Sequence, residues 1–171
     1  LDRLIAEFPR EAEPLAFRGV VEERSGDLAK AIGFYQRAAG TNPGSAVAHY
    51  NLGRALGLRR QWSEAAGALA MAVELDPGHV GYLYALATVL QGGGRTADAV
   101  EALGCCVRID PDFLDGYATL ADVLVSANHL ELADRLLQLV ARRFPGQGVL
   151  RSKRAAIASR RFPGGGPASA D

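Results

Sequence analysis

The residues of this sequence that are best suited to chemistry are three histidines and two adjacent cysteines. His49, His79 and His129 belong to the residue type that most often binds metals and transfers protons near neutral pH. None of them stands in a metal-ligand motif such as HExxH, so we expect surface or core histidines. Cys105 and Cys106 could form a redox-sensitive pair, but small buried cysteines that only pack are the more common case. We therefore predict no metal site and no catalytic residue among these five.

A run of three glycines is the other feature that could carry chemistry. Gly92, Gly93 and Gly94 would suit a phosphate-binding loop if a strand preceded them and a GK[ST] sequence followed. They are followed instead by Arg95 and Thr96, so we predict a turn between two helices. The sequence also lacks a GxSxG nucleophile elbow. It therefore predicts a noncatalytic protein that uses no cofactor.

The composition limits the classes of protein to consider. The chain has 171 residues, of which 49% are hydrophobic, and this content suffices for a continuous core. Its 19 basic and 19 acidic residues cancel, so the composition gives no reason to expect a nucleic acid or an anionic membrane as partner. No apolar run approaches the roughly 20 residues that span a bilayer. With two cysteines the redox compartment stays open, and the expected partner is a protein or a peptide.

Five prolines recur at one fixed spacing. Pro9, Pro43, Pro77, Pro111 and Pro145 are each 34 residues apart, and the residues around them are similar. A regular period of this length is the signature of a repeat protein. Proline ends a helix and keeps the residue before it out of the helical region, so each proline predicts a turn between two repeats.

The positions between the prolines also agree from one repeat to the next. Alanine recurs at one of them, namely Ala31, Ala65, Ala99 and Ala133. Small residues recur at another, namely Gly19, Gly53, Ala87 and Ala121. Large apolar residues fill further positions at the i, i+3, i+4, i+7 spacing of an amphipathic helix, and glycine or polar residues interrupt each repeat at its middle. Each repeat is therefore predicted as two helices that are joined by a short turn and approach closely at the small residues.

This pattern resembles the tetratricopeptide repeat. The residues that carry the resemblance in the clearest repeat are Leu52, Gly53, Leu56, Ala65, Leu69, Ala72 and Pro77. The resemblance implies an all-α fold, a right-handed α-α superhelical solenoid in which helix hairpins stack on one another. It divides the chain into the second helix of a truncated repeat (1–11), four repeats (12–45, 46–79, 80–113 and 114–147), a C-terminal capping helix (148–161) and a flexible tail (162–171).

Two residues of the first repeat depart from the pattern. Arg18 and Glu22 occupy positions that are normally apolar in this family. We expect them to form an ion pair one helical turn apart, on a helix that is partly exposed.

The resemblance also implies where a partner would bind. In tetratricopeptide arrays the first helix of each hairpin lines a concave face, which here would present Phe17, Tyr50, Asn51, Arg54, Tyr84, Thr88, Gln91, Thr119 and Asp122. Tyr50 and Tyr84 occupy equivalent positions of consecutive repeats, so we expect their rings to lie side by side. Arg54 would offer a planar fork to a carboxylate or to backbone carbonyl groups.

One subclass of the family holds the acidic C terminus of chaperones in a clamp of Lys, Asn, Asn, Lys and Arg. Only Asn51 matches a clamp position here, and the other positions hold Ala16, Val20, Gly81 and Ala85. We therefore predict that this clamp is absent. We expect an extended or helical segment that is held by mixed apolar and hydrogen-bonding contacts.

Three functions remain open from the sequence. The first is a noncatalytic scaffold that binds a peptide or protein segment in the concave groove. The second is a regulatory or substrate-recruiting arm of a larger enzyme, such as a glycosyltransferase or a kinase, because the chain begins without methionine. The third is self-assembly through the chain ends, since residues 1–27 hold seven acids and eight basic residues separate Asp134 from Asp171. The many arginines, alanines and glycines are typical of a GC-rich bacterial genome.

Overall fold

The computed structural model describes residues 12–161. Within this range the chain forms nine α-helices and no β-strand, which confirms the predicted all-α fold. The helices are α1 (Ala12–Arg24), α2 (Leu28–Thr41), α3 (Ala46–Leu58), α4 (Trp62–Leu75), α5 (Val80–Gly92), α6 (Thr96–Ile109), α7 (Leu114–Ser126), α8 (Leu130–Arg143) and α9 (Gly148–Arg161). The predicted truncated-repeat helix (1–11) and flexible tail (162–171) lie outside the described residues. The self-assembly expected from the acidic N-terminal part and the basic C-terminal part of the chain stays a prediction.

The chain divides into two compact units. The first ends at Ala102 and the second begins at Leu103, inside α6. In the first unit α1 packs on α2 and α3 packs on α4, while α2 and α4 also contact the helix that follows each of them. In the second unit α7 packs on α8, and α9 contacts both. Helix hairpins of the predicted kind are therefore present in both units.

The turns that follow α1, α3, α5 and α7 each contain a residue in the left-handed conformation. These residues are Gly26, Arg60, Gly94 and Asn128, with φ angles of 89°, 58°, 78° and 63°. A left-handed residue at this point allows the chain to leave the helix while the last carbonyl groups remain hydrogen-bonded. Glycine adopts this conformation without a steric penalty, whereas for arginine it costs about 1 kcal/mol. Because Arg60 adopts it too, the repeat geometry and not the glycine content determines the turn.

Close packing inside the hairpins of the first unit depends on the small residues that recur in the sequence. A Cβ atom on Gly53 would come within 2.5 Å of Leu69 Cγ and 2.9 Å of the Ala65 carbonyl oxygen. Gly19 faces the ring of Tyr35 at the equivalent position of the preceding hairpin. Leu69, Ala65 and Tyr35 are fully buried. The paired helices therefore approach each other where the sequence predicts.

The ion pair predicted in α1 is present. Arg18 Nε lies 2.8 Å from Glu22 Oε1, and Glu22 is buried. The guanidinium groups of Arg18 and Arg37 lie over the ring of Phe34, at 5.9 and 5.6 Å from its centroid, in cation–π geometry. As expected, α1 is partly exposed, and Phe17 is its most exposed large apolar residue, with 60% of its surface accessible to solvent.

In the second unit, α9 is held by a small apolar contact and by ion pairs. Leu150 and Ile157 are its buried residues, and they join a core that includes Leu137 and Val140. The ion pairs join Lys153 to Asp122, Arg154 to Asp134 and Arg161 to Glu131. A helix with so little buried apolar surface depends on its neighbours for its stability.

The two cysteines differ in accessibility, and this difference gives a first testable prediction. Cys106 is fully buried, and burial, with a smaller contribution from Cys105, raises the pKa of its thiol to about 11. Cys105 is half-buried and accepts a hydrogen bond from Arg108 Nη2 at 3.1 Å. Since the thiolate is the reactive form, we expect iodoacetamide near neutral pH to modify Cys105 and to spare Cys106 until the chain unfolds. Peptide mapping by mass spectrometry measures this, and equal labelling of both in the folded protein would contradict it.

Candidate binding groove

A groove lies between α3 and α5 in the first unit, and we call it the α3–α5 groove. Its volume is about 710 Å³, which is in the size range of sites that hold small ligands. Five of the predicted partner-binding residues line it, namely Tyr50, Arg54, Tyr84, Thr88 and Gln91. The fold therefore brings these residues of two consecutive repeats to one surface.

Apolar side chains form much of the wall of the groove. Leu58, Trp62, Leu69 and Val89 line it together with several glycines. One of these is Gly57, where an added Cβ atom would come within 2.9 Å of Val89 Cγ2. A larger residue at this position would therefore take up space at the wall, and glycine keeps the groove open.

Trp62 explains the run of three glycines that the sequence places in a turn. Its ring lies against Gly92, where an added Cβ atom would come within 2.7 Å of Trp62 Cζ3. At Gly93 an added Cβ atom would meet Trp62 Cβ at 3.0 Å, and Gly94 is the left-handed residue of the turn. The predicted turn is confirmed. Trp62 therefore both packs on these glycines and lines the groove.

Tyr50 also takes part in an aromatic cluster beside the groove. The ring that contacts Tyr50 belongs to Tyr82, with centroids 5.0 Å apart and planes tilted by 37°. His79 stacks on Tyr82 with ring centroids 3.8 Å apart, and an added Cβ atom on Gly81 would come within 3.0 Å of the His79 ring. Tyr82 is buried, and burial raises the pKa of its hydroxyl. Tyr50 and Tyr84 both line the groove, and the side-by-side arrangement of their rings stays a prediction.

Arg54 is engaged by an acidic residue of the preceding hairpin. Its Nη2 donates a hydrogen bond to Glu23 Oε2 at 2.8 Å. The same oxygen accepts a hydrogen bond from the Tyr35 hydroxyl at 3.0 Å. Burial, and after it the hydrogen bond to Glu23, raises the pKa of Tyr35 well above its ordinary value, so this hydroxyl remains a neutral donor. The guanidinium group that the sequence offers to a ligand therefore already has a carboxylate partner.

The other four predicted residues do not line this groove. Phe17 is exposed on α1, and Asn51 is half-buried on α3. Thr119 and Asp122 lie on α7 in the second unit, where Asp122 accepts hydrogen bonds from Lys153 Nζ at 2.5 Å. Their role in binding stays a prediction.

Among residues 12–161, no group of three or more His, Cys, Asp or Glu side chains is placed to hold a metal ion. In the same range, none of the helices has the length and apolar character that crossing a bilayer requires.

Two of the solved structures with a similar fold are described as tetratricopeptide repeat proteins. YrrB, described as a tetratricopeptide protein with an unusual peptide-binding site, superimposes with a TM-score of 0.76 at 19% identity, over 94% of this chain and 82% of YrrB. The first tetratricopeptide domain of Spaghetti (RPAP3), bound to the HSP90 peptide SRMEEVD, gives 0.66 at 15% identity, over 69% of this chain and 94% of that domain. A mutant O-GlcNAc transferase of Thermobaculum terrenum gives 0.64 at 26% identity, over 77% of this chain but 26% of the enzyme.

No curated protein matches the chain. The model of the tetratricopeptide repeat family matches residues 24–90, which include all the residues of the α3–α5 groove named above except Gln91 and Gly92. The resemblance predicted from the sequence is confirmed, and residues 24–90 belong to the tetratricopeptide repeat family.

Proposed function

We propose that this protein is a noncatalytic interaction scaffold whose α3–α5 groove binds a peptide or protein segment. The observation that carries the proposal is the convergence of Tyr50, Arg54, Tyr84, Thr88 and Gln91 on one groove of about 710 Å³. Tyrosine and arginine are enriched among the residues that contribute most to binding at protein interfaces. YrrB and the Spaghetti domain, whose descriptions name a peptide site and a bound peptide, support the same kind of function.

The chemistry of the groove favours apolar contact with a few directional hydrogen bonds. Leu58, Trp62 and Val89 provide apolar surface. The Thr88 hydroxyl donates to the Tyr84 carbonyl oxygen of its own helix at 2.9 Å, so its hydrogen atom is already used. Gln91 supplies an amide group that can pair with a peptide backbone. A segment that inserts apolar side chains at helical or extended spacing would suit this lining.

The mode of binding that we propose differs from the chaperone clamp. The Spaghetti domain holds an acidic HSP90 peptide. In this chain four of the five positions of that clamp hold Ala16, Val20, Gly81 and Ala85, which offer no side-chain hydrogen-bond donor. Apolar burial is therefore expected to contribute more of the binding energy here than a salt bridge to a terminal carboxylate.

The first test uses Trp62, which is the one tryptophan of the chain. Because its ring lines the groove, a peptide that enters the groove should change its fluorescence emission. Peptides selected from a displayed library of short random sequences serve as probes. We expect Tyr84→Ala to weaken their binding about tenfold, which corresponds to about 1.4 kcal/mol.

The matched control for this test is Val47→Ala. Val47 is an exposed residue of α3 that does not line the groove, so its removal should leave the affinity unchanged. Helical circular dichroism of both variants establishes that they are folded. Selected peptides that bind the Tyr84 variant as tightly as the parent, or that leave Trp62 emission unchanged, would contradict the proposed site.

A second candidate function is a substrate-recruiting arm of a larger enzyme. The observation in its favour is the similarity to the O-GlcNAc transferase, in which the matched region is about a quarter of the chain. The groove would then hold a segment of the substrate. The coding sequence on both sides of this region tests the candidate, because a catalytic domain in the same reading frame would support it and its absence would rule it out.

A further inference from the structure

The charge of the α3–α5 groove is concentrated in one residue. Among the described residues that line the groove, Arg54 is the one charged side chain. A buried or half-buried guanidinium group without a partner would attract a ligand carboxylate strongly, because charge-assisted hydrogen bonds are about twice as strong as neutral ones. Whether the groove prefers acidic or uncharged ligands therefore depends on whether Arg54 already has an anionic partner.

The carboxylate of Glu23, on another helix, already forms an ion pair with Arg54. Glu23 belongs to α1, and its Oε2 lies 2.8 Å from Arg54 Nη2 on α3. The Tyr35 hydroxyl, from α2, donates to the same oxygen at 3.0 Å. Side chains from α1, α2 and α3 thus meet at one carboxylate oxygen, which is held against the guanidinium group. The side chain of Glu23 is 19% exposed and that of Arg54 is 39% exposed, so the pair sits at the edge of the groove and is still reachable from solvent.

A ligand carboxylate would have to compete with Glu23. The internal carboxylate is tethered at short distance and therefore acts at a high effective concentration, which for flexible tethers is already in the millimolar range. A second carboxylate beside Glu23 would also experience like-charge repulsion. An uncharged apolar segment meets neither obstacle, and it matches Leu58, Trp62 and Val89 on the wall.

We propose that Glu23 is a specificity-determining residue that occupies Arg54 as an internal ligand and so makes the α3–α5 groove select uncharged apolar segments over acidic ones. This inference rests on the proposed function, because it concerns the same groove. Glu23 does not line the groove itself and acts through the position and charge of Arg54. A purely structural role, in which the pair only joins two hairpins, would affect stability and leave ligand preference unchanged.

The experiment compares peptide selection by the parent chain and by Glu23→Gln. Both are used to select from the same displayed library of short random peptides, and representative peptides are then titrated against Trp62 fluorescence. We expect the parent to enrich apolar sequences that are poor in Asp and Glu. We expect Glu23→Gln, in which Arg54 has no carboxylate partner, to bind acidic peptides about tenfold more tightly than the parent does, or about 1.4 kcal/mol.

Two further variants separate the mechanism from a general change of charge. Glu74→Gln removes one negative charge from an exposed position of the first unit that does not line the groove, and it should leave the selection unchanged. The double variant Glu23→Gln with Arg54→Gln should lose the gain in acidic binding, because the guanidinium group is gone. Circular dichroism melting of each variant identifies any that has lost its fold.

The outcomes distinguish this inference from the proposed function. If no peptide is enriched by the parent or by any variant, the proposed function fails and the inference fails with it. If the parent enriches peptides that change Trp62 fluorescence but Glu23→Gln shows no greater affinity for acidic ones, the role of Glu23 is overturned and the groove stands. A gain that persists in the double variant would also overturn it, since Arg54 would then not be involved.

Discussion

Replacing Leu137 by alanine is expected to lower the free energy of unfolding by about 2–5 kcal/mol, the usual cost of removing a fully buried leucine side chain from a packed core. Leu137 belongs to α8 and has no exposed surface. It packs in the core that α8 forms with α7 and α9 in the second unit. Its removal leaves a cavity that the surrounding helices fill only in part. Urea unfolding followed by helical circular dichroism measures the change, provided that the transition is cooperative.

The control for this prediction lies two residues further along the same helix. Leu139 belongs to α8 as well, but 63% of its residue surface is exposed. We expect Leu139→Ala to change the free energy of unfolding by less than about 0.5 kcal/mol, as is usual for surface positions. The two variants share residue type, helix and substitution, so they differ in burial alone. A similar cost for both would contradict the orientation of α8, in which Leu137 is buried and Leu139 is exposed.

The hairpins of this fold were predictable because each depends on local residues that recur. The prolines at a period of 34 predict where helices end, and the small residues predict where paired helices approach. Gly53 against Leu69 and Gly19 against Tyr35 meet that prediction. Such features need little knowledge of the surrounding structure, because a helix terminator and a missing side chain act on the nearest residues.

The contacts between successive hairpins were harder to predict, and Arg54 illustrates the reason. The sequence suggests a guanidinium group that is free for a ligand, but its partner Glu23 is 31 residues away on another hairpin. The same separation of 31 recurs in the second unit between Arg143 and Asp112 and between Lys153 and Asp122. This separation is about one helical turn shorter than the repeat length of 34. It therefore joins a residue to one in the preceding repeat that lies one turn beyond the equivalent position. A search for opposite charges at this spacing would have found all three pairs.

The fit of Trp62 against Gly92 and Gly93 could not be predicted from the repeat alone. Neither glycine is common to all the repeats, since Leu58 and Arg59 stand at the equivalent positions one repeat earlier. The contact is a local match between one large side chain and two positions without Cβ atoms. A repeat pattern describes what the units share, and a binding groove is formed by residues in which they differ.

Two glycines in one hairpin are expected to respond in opposite directions to the same substitution. Alanine is favoured over glycine by about 1 kcal/mol inside a helix, because glycine loses more conformational freedom on folding. Gly67 in α4 is exposed, and an added Cβ atom there would meet nothing within 4 Å. We therefore expect Gly67→Ala to raise the free energy of unfolding by about 0.5–1 kcal/mol.

Gly53 in α3 presents the contrary case. An added Cβ atom would come within 2.9 Å of the Ala65 carbonyl oxygen and 3.0 Å of the Leu69 nitrogen, which are backbone atoms that cannot rotate away. The helices must separate to accept it, and we expect Gly53→Ala to lower the free energy of unfolding by about 1–3 kcal/mol despite the gain in helix propensity. Urea unfolding followed by the fluorescence of Trp62, at the start of the partner helix α4, measures both variants. If both glycines gained stability on substitution, the close approach of α3 and α4 at Gly53 would be wrong, because helix propensity alone would then account for both results.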